Sequence, residues 1–282
     1  MNSKEKAALG SIAASAALTA AKATVGLLTG SLAILSEAGH SLIDLSATVL
    51  TYFAVRISGK PADAEHQYGH GKIESVSALA ETGLLFLLTG VVVWEAVQRL
   101  IGAREHTVEA TAAAFAVIAG SIVIDFFRAR TLRRVADETS SEALAADALH
   151  FSSDMWSSVA VLLGLGGVAL GYPWTDAGAA LVVAVFICIA GWRLGRRTID
   201  TLTDTAPVGV SERVAAIARR VPGIVGVERV RARPAGAVLF VDLGVGVSRT
   251  LPLDRVSAIK ERLTRAVRAE IPQAEVTITT EP

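Results

Sequence analysis

Before about residue 200 the chain is built from six long apolar stretches, rich in Ala, Val, Leu and Gly and separated by short charged connections. A helix needs about 20 apolar residues to cross a hydrocarbon core. Inside lipid a helix also satisfies its backbone hydrogen bonds without a partner. Runs of this length and spacing therefore predict an α-helical membrane protein with six transmembrane helices. They are placed at Ala7–Leu28, Leu32–Val55, Val76–Leu100, Ala110–Arg130, Ala143–Leu170 and Thr175–Gly195. Composition agrees, with 52% hydrophobic residues against 19% charged. The first stretch runs on through Lys22 to Gly30 without a clean cleavage pattern, so it reads as a membrane helix and not as a signal peptide.

Charge placement orients these spans, because positive connections stay on the cytoplasmic side. One side carries Lys4, Lys6, Arg56, Lys60, Lys72, Arg128, Arg130, Arg133, Arg134, Arg193, Arg196 and Arg197, and the other carries Arg99 and Arg104. That asymmetry predicts a multi-pass protein of the cell (inner) membrane with both termini in the cytoplasm and the lipid bilayer as surroundings. Trp94, Tyr172 and Trp174 near span ends read as interfacial anchors. Formal net charge is zero, which removes the basic field expected of a nucleic-acid partner. The single cysteine, Cys188, sits in an apolar run and cannot close an intramolecular disulfide or build a thiolate cluster.

After Ala206-Pro207 the pattern becomes that of a soluble domain, giving an expected division into residues 1–205 and 206–282. A helix-like stretch from Val210 to Val221 ends at Pro222-Gly223, and strand-like runs follow at Val227–Arg233 and Val238–Val247 around Pro234-Ala235-Gly236. An amphipathic helix over Leu253–Glu270 and a last alternating run at Glu275–Thr280 complete an α+β order αββαβ, ferredoxin-like, with helices on one sheet face. So small a core gains from docking on a second copy.

Two polar pairs interrupt the apolar spans. His40 and Asp44 lie in the second, and His150 and Asp154 in the fifth, each pair four residues apart and so on one helix face. Ionisable groups are costly inside a membrane and turn towards a partner or a water-filled path. A single such pair could be a packing hydrogen bond. Two with identical spacing in separate spans offer four nitrogen and oxygen donors, the number tetrahedral zinc takes. Copper(I), which prefers sulfur, and magnesium, which prefers all-oxygen sites, fit less well. The connection between spans two and three holds Asp63, His66 and His70, three more groups competent to hold a metal, although a polar His-bearing loop is by itself more often only solvated.

The chain resembles the cation diffusion facilitators over nearly its whole length. The resemblance rests on Ser36-Glu-Ala-Gly-His-Ser-Leu-Ile-Asp44, on Pro61-Ala-Asp-Ala-Glu-His-Gln-Tyr-Gly-His-Gly-Lys-Ile-Glu74, on His150 with Asp154, and on the αββαβ C-terminal domain. It implies a homodimeric antiporter, not an enzyme, that exports Zn2+ or a related divalent cation from the cytoplasm in exchange for protons. It further implies that His40, Asp44, His150 and Asp154 form the transport site, with His40 marking the zinc-selective branch, and that Asp63, His66 and His70 form a second, modulatory metal site. Lys72 and Asp204 resemble a family charge pair near the dimer interface, although Lys72 also reads as a positive-inside anchor. The departure lies in the soluble domain. All five histidines precede residue 151, so Glu228, Asp242 and Glu281 remain as carboxylates without imidazole, and a weak or absent metal site is expected there.

Proton coupling follows in outline from the donor set. Metal binding needs ionised carboxylates and neutral imidazoles, and an imidazole titrates near pH ~6.5, so protons and metal compete for the same groups. Two other readings of the quartet remain open in the sequence: a membrane-embedded zinc enzyme activating water, for which no His-Glu-x-x-His helix is present, and a metal-binding, non-transporting partner subunit.

Overall fold

In the computed structural model, residues 2–29, 32–101, 112–169 and 175–281 are described. Six long helices come first: α1 Ser3–Thr29, α2 Leu32–Ser58, α3 Ile73–Leu100, α4 Ala112–Thr139, α5 Glu142–Ala169 and α6 Thr175–Leu202. Windows at Ser3–Val25, Ser41–Ser58, Ile73–Gln98 and Ala177–Leu202, in α1, α2, α3 and α6, are long and apolar enough to cross a membrane. The helices reach beyond the apolar runs. α4 continues nine residues past Arg130, through the i,i+4 pairs Arg133–Asp137 at 3.2 Å and Arg134–Glu138 at 2.8 Å. Such pairs sustain a helix in solvent, where hydropathy carries no signal. It stops where Ser140 turns to φ 52° and the Ser141 N–H reaches back to the Ala136 carbonyl at 3.0 Å, a Schellman-type closure.

The chain divides into two compact units, one comprising Met1–Gly59 with Ile73–Thr198 and the other Lys60–Lys72 with Ile199–Pro282. In the first, α1 packs on α2 and α4, α4 on α5, and α3 on α2 and α5. Small residues set how closely helices approach. On α6, a Cβ at Gly191 would stand 3.3 Å from the Phe86 ring of α3, and one at Gly195 would stand 3.2 Å from the Thr82 methyl.

The second unit holds α7 Val210–Arg219, β1 Ile224–Ala235, β2 Val238–Val247, α8 Leu253–Glu270 and β3 Ala274–Glu281. The observed order is the αββαβ expected from the sequence. Strand order is β1-β2-β3; β1 and β2 are antiparallel, and α8 is the crossover that lets β3 run parallel to β2. Along β2 the buried Leu239, Val241, Leu243 and Val245 alternate towards α7 and α8, where Val214, Ile217, Leu263 and Val267 close the core. Phe240 has the opposite parity and projects from the other sheet face.

That other face takes the 60–72 segment. Tyr68 meets Phe240 edge-on, ring centroids 5.3 Å apart, and the Arg233 guanidinium lies 4.1 Å over the Tyr68 ring. Contact extends to the backbone: a Cβ at Gly71 would fall 2.5 Å from the Ala235 carbonyl oxygen, so only glycine fits. Gly236, at φ 61°, makes the hairpin turn against the same glycine.

Candidate metal sites

Asp44 on α2 and His150 and Asp154 on α5 come together in the helical unit. The helical spacing that puts His150 and Asp154 on one face leaves the His150 Nε2 3.5 Å from Asp154 Oδ2, and packing against α2 brings the same nitrogen within 3.2 Å of Asp44 Oδ1. One donor atom from each residue lies within 4.8 Å of the other two. The side chains of Asp44 and His150 are close to nine-tenths buried, whereas Asp154 is 29% exposed, so the cluster has one wetter edge. Two carboxylates converging on one imidazole nitrogen is a geometry that a divalent cation neutralises in place of the shared proton. The His150 ring is held edge-on by Phe151, centroids 5.2 Å apart. His40 occupies α2 one turn before Asp44, and its side chain lies outside the described residues, as do Tyr172 and Trp174.

The second cluster is local. Asp63 Oδ1 accepts backbone N–H groups from His66 at 2.6 Å and Glu65 at 3.0 Å, an Asx turn that folds the loop onto its own carboxylate. These hold the Asp63 carboxyl below its ordinary range, the His66 N–H most strongly, with the nearby imidazoles helping. His66 Nδ1 stands 3.4 Å from Asp63 Oδ1, and His70 Nε2 stands 3.3 Å from Asp63 Oδ2. The two rings are 4.3 Å apart at 36°. His70 is buried and its Nδ1 has no hydrogen-bond partner among the described residues, whereas Asp63 and His66 are half exposed. An ionised carboxylate with two imidazoles suits zinc with a water in the fourth position.

Outside these clusters lie buried charged residues whose partners spacing along the chain does not assign. Arg128, read from the sequence as a loop charge, is 8% exposed in α4 and donates to Ser11 at 2.9 Å and Ser15 at 2.6 Å on α1. Asp147, 1% exposed on α5, accepts from Ser11. Glu74 is likewise buried, paired with Lys4 at 2.8 Å and hydrogen-bonded by Ser58 and Ser141. Glu81 receives the hydroxyls of Thr51 and Ser77. A spacing signal existed for Asp147, which stands three residues before His150, and for Thr48, four after Asp44; both share a face with a cluster residue. In the other unit, Lys72 Nζ stands 2.7 Å from Asp204 Oδ1, and Arg233 adds a second cation at 3.4 Å, a partner the sequence did not suggest.

Comparison with known proteins gives a consistent result. The cation efflux transmembrane domain family matches residues 8–203, and the cation efflux protein cytoplasmic domain family matches residues 209–282. A cation-efflux pump FieF from Klebsiella pneumoniae is 31% identical over 284 residues, covering 98% of this chain and 92% of its own length. One from Salmonella typhi is 30% identical with the same coverage. Among solved structures, MamM-CTD 215-293 is 32% identical, covering 26% of this chain and 92% of its own, with a TM-score of 0.25.

Proposed function

Because the chain belongs to the cation efflux family, the cation diffusion facilitators, we propose that its own reaction is export of Zn2+ from the cytoplasm in exchange for protons. Family membership itself makes it a multi-pass membrane protein that moves divalent cations out of a compartment, and not an enzyme. Within the proposal, all six long helices cross the inner membrane with both termini cytoplasmic, the membrane domain ends near residue 205, and two copies pair as a homodimer.

The observation that carries the reading is the convergence of Asp44, His150 and Asp154 from two helices onto one point. His40, one turn from Asp44, is assigned as the fourth donor. A mixed nitrogen and oxygen set of this size favours zinc over the all-oxygen preference of magnesium. Loading requires both carboxylates ionised and both imidazoles neutral, so each metal bound displaces protons. A site that then faces a more acidic compartment exchanges metal for protons and returns protonated. Asp63, His66 and His70 hold a second zinc that braces the loop and does not travel.

The test is metal uptake into proteoliposomes holding purified protein, with zinc, manganese and ferrous iron compared, with and without a pH gradient. Zinc-selective uptake that rises with the gradient and releases protons is expected, and the selectivity broadens in His40→Asp. Uptake indifferent to the gradient would remove the exchange, and equal transport of all three metals would remove the zinc assignment.

A further inference from the structure

A polar strap ties together α1, α2, α4 and α5 next to the proposed transport site. Its node is Ser11 of α1, which donates to Asp147 Oδ2 of α5 at 3.3 Å and receives Arg128 Nη2 of α4 at 2.9 Å. The other Asp147 oxygen, Oδ1, stands 3.5 Å from the Thr48 hydroxyl of α2, whose single proton it shares with the Asp44 backbone carbonyl at 3.0 Å. Arg128 closes the circuit by lying 3.4 Å over the ring of Phe151, the residue that follows His150, and by standing 3.5 Å from Asp125 on its own helix. Ser11, Thr48, Asp125, Arg128, Asp147 and Phe151 are all more than nine-tenths buried.

Asp147 lies three residues from His150, yet its carboxylate is not part of the three-residue donor cluster; it is turned to Ser11 and Thr48. Buried charge of this kind is retained inside a membrane only where it has a task. Here one oxygen accepts from Ser11 of α1 and the other takes the longer branch of the Thr48 hydrogen bond from α2, while the residue itself belongs to α5. The strap therefore sets the distance and rotation between α2, which carries Asp44, and α5, which carries His150 and Asp154. We infer that Asp147 is a positioning residue for metal binding, holding α2 and α5 so that their ligands meet at the spacing of a small divalent cation. This rests on the transport-site reading given above.

Hydrogen-bonded partners behind metal ligands typically govern metal affinity by about 10–100-fold. In proteoliposomes, Asp147→Ala is accordingly expected to raise the KM for Zn2+ by about 10–100-fold with kcat within about twofold of wild type. A relaxed site fits a larger ion better, so the Cd2+ to Zn2+ ratio of kcat/KM rises. Asp147→Asn, whose single amide oxygen keeps an acceptor for only one of the two hydroxyls, recovers part of the loss. A purely structural role would lower the amount of folded transporter and reduce both metals alike. If Asp147→Ala does not fold, the double variant Ser11→Ala with Thr48→Val removes the two hydroxyls, keeps the carboxylate and shifts KM and the metal ratio in the same direction. An unchanged KM and metal ratio in either variant overturns the inference. So does complete loss of zinc binding in both Asp147→Ala and Asp147→Asn, which would make Asp147 a ligand. Zinc binding that survives Asp154→Ala would instead sink the transport-site reading and leave the strap without its object.

Discussion

The two metal-competent clusters have the same kind of donors and opposite origins. Asp63, His66 and His70 lie within eight residues, and turns closed inside that segment assemble them. Asp44 and His150 are 106 residues apart, and only the packing of α2 on α5 brings them to 3.2 Å. In the first, Asp63 and His66 are half exposed, so water and protons reach it directly, and its geometry survives as long as the loop does. The second is largely buried, and its geometry depends on every contact that sets helix separation. A site meant to hold a metal can afford the first construction. A site that must open alternately to two sides needs the second, since only ligands on separate elements can be moved relative to one another.

That contrast breaks most visibly at the intramembrane cluster. His150→Ala is expected to lower transport by at least about 100-fold, because it removes the nitrogen on which both carboxylates converge; zinc flux in proteoliposomes reads it, and near-normal flux would mean that the cluster is not the site. The next effect concerns how the loop is seated. Gly71→Val places side-chain atoms against the Ala235 carbonyl, and such overpacking costs about 1–3 kcal/mol. Thermal unfolding of the full-length protein should show a lowered midpoint, and an unchanged one would mean that the loop sits elsewhere. His70→Ala should then weaken zinc binding at the loop by about 10-fold or more while changing transport less than about threefold. Equal losses of transport in His70→Ala and His150→Ala would erase the functional distinction between the two clusters.

The smallest effect is the charge pair. Lys72, through its hydrogen bond, holds the Asp204 carboxyl below the ordinary carboxylate range, with Arg233 assisting. A carboxyl whose folded-state pKa is depressed contributes stability above its unfolded value, near pH ~4, and loses it as pH falls through the folded value. Asp204→Asn should therefore cost under about 1 kcal/mol at pH 7, the range of exposed pairs, and nothing once the wild-type carboxyl is protonated. A penalty of equal size at both pH values would show that the contact acts through packing and not through charge.

Much of the architecture was legible in advance because its signals are local. Hydropathy found all six long helices, and turn residues with period-two alternation found β2 over Val238–Val247 as observed. Helix ends were less legible: α4 ends at Thr139 and α6 at Leu202, where charged residues continue a helix that hydropathy no longer marks. Arg128 shows the same limit from the other side. Near the end of an apolar run it looks like a cytoplasmic anchor, yet it is folded inward by Ser11, Ser15 and Phe151, none of which lies near it in sequence.

The sequence by itself therefore determined whatever depends on neighbours along the chain: the helical runs, the His-Asp spacing on α2 and α5, the loop triad and the αββαβ order. Tertiary structure alone decided which faces meet. That includes the approach of Asp44 to His150, the Asp147–Ser11–Arg128 strap, and the seating of Tyr68 on Phe240 across the sheet. The physical reason is that helical and strand periodicity fixes only the direction of each side chain from its own axis, while the distance between axes is set by small residues and buried polar contacts contributed by other segments.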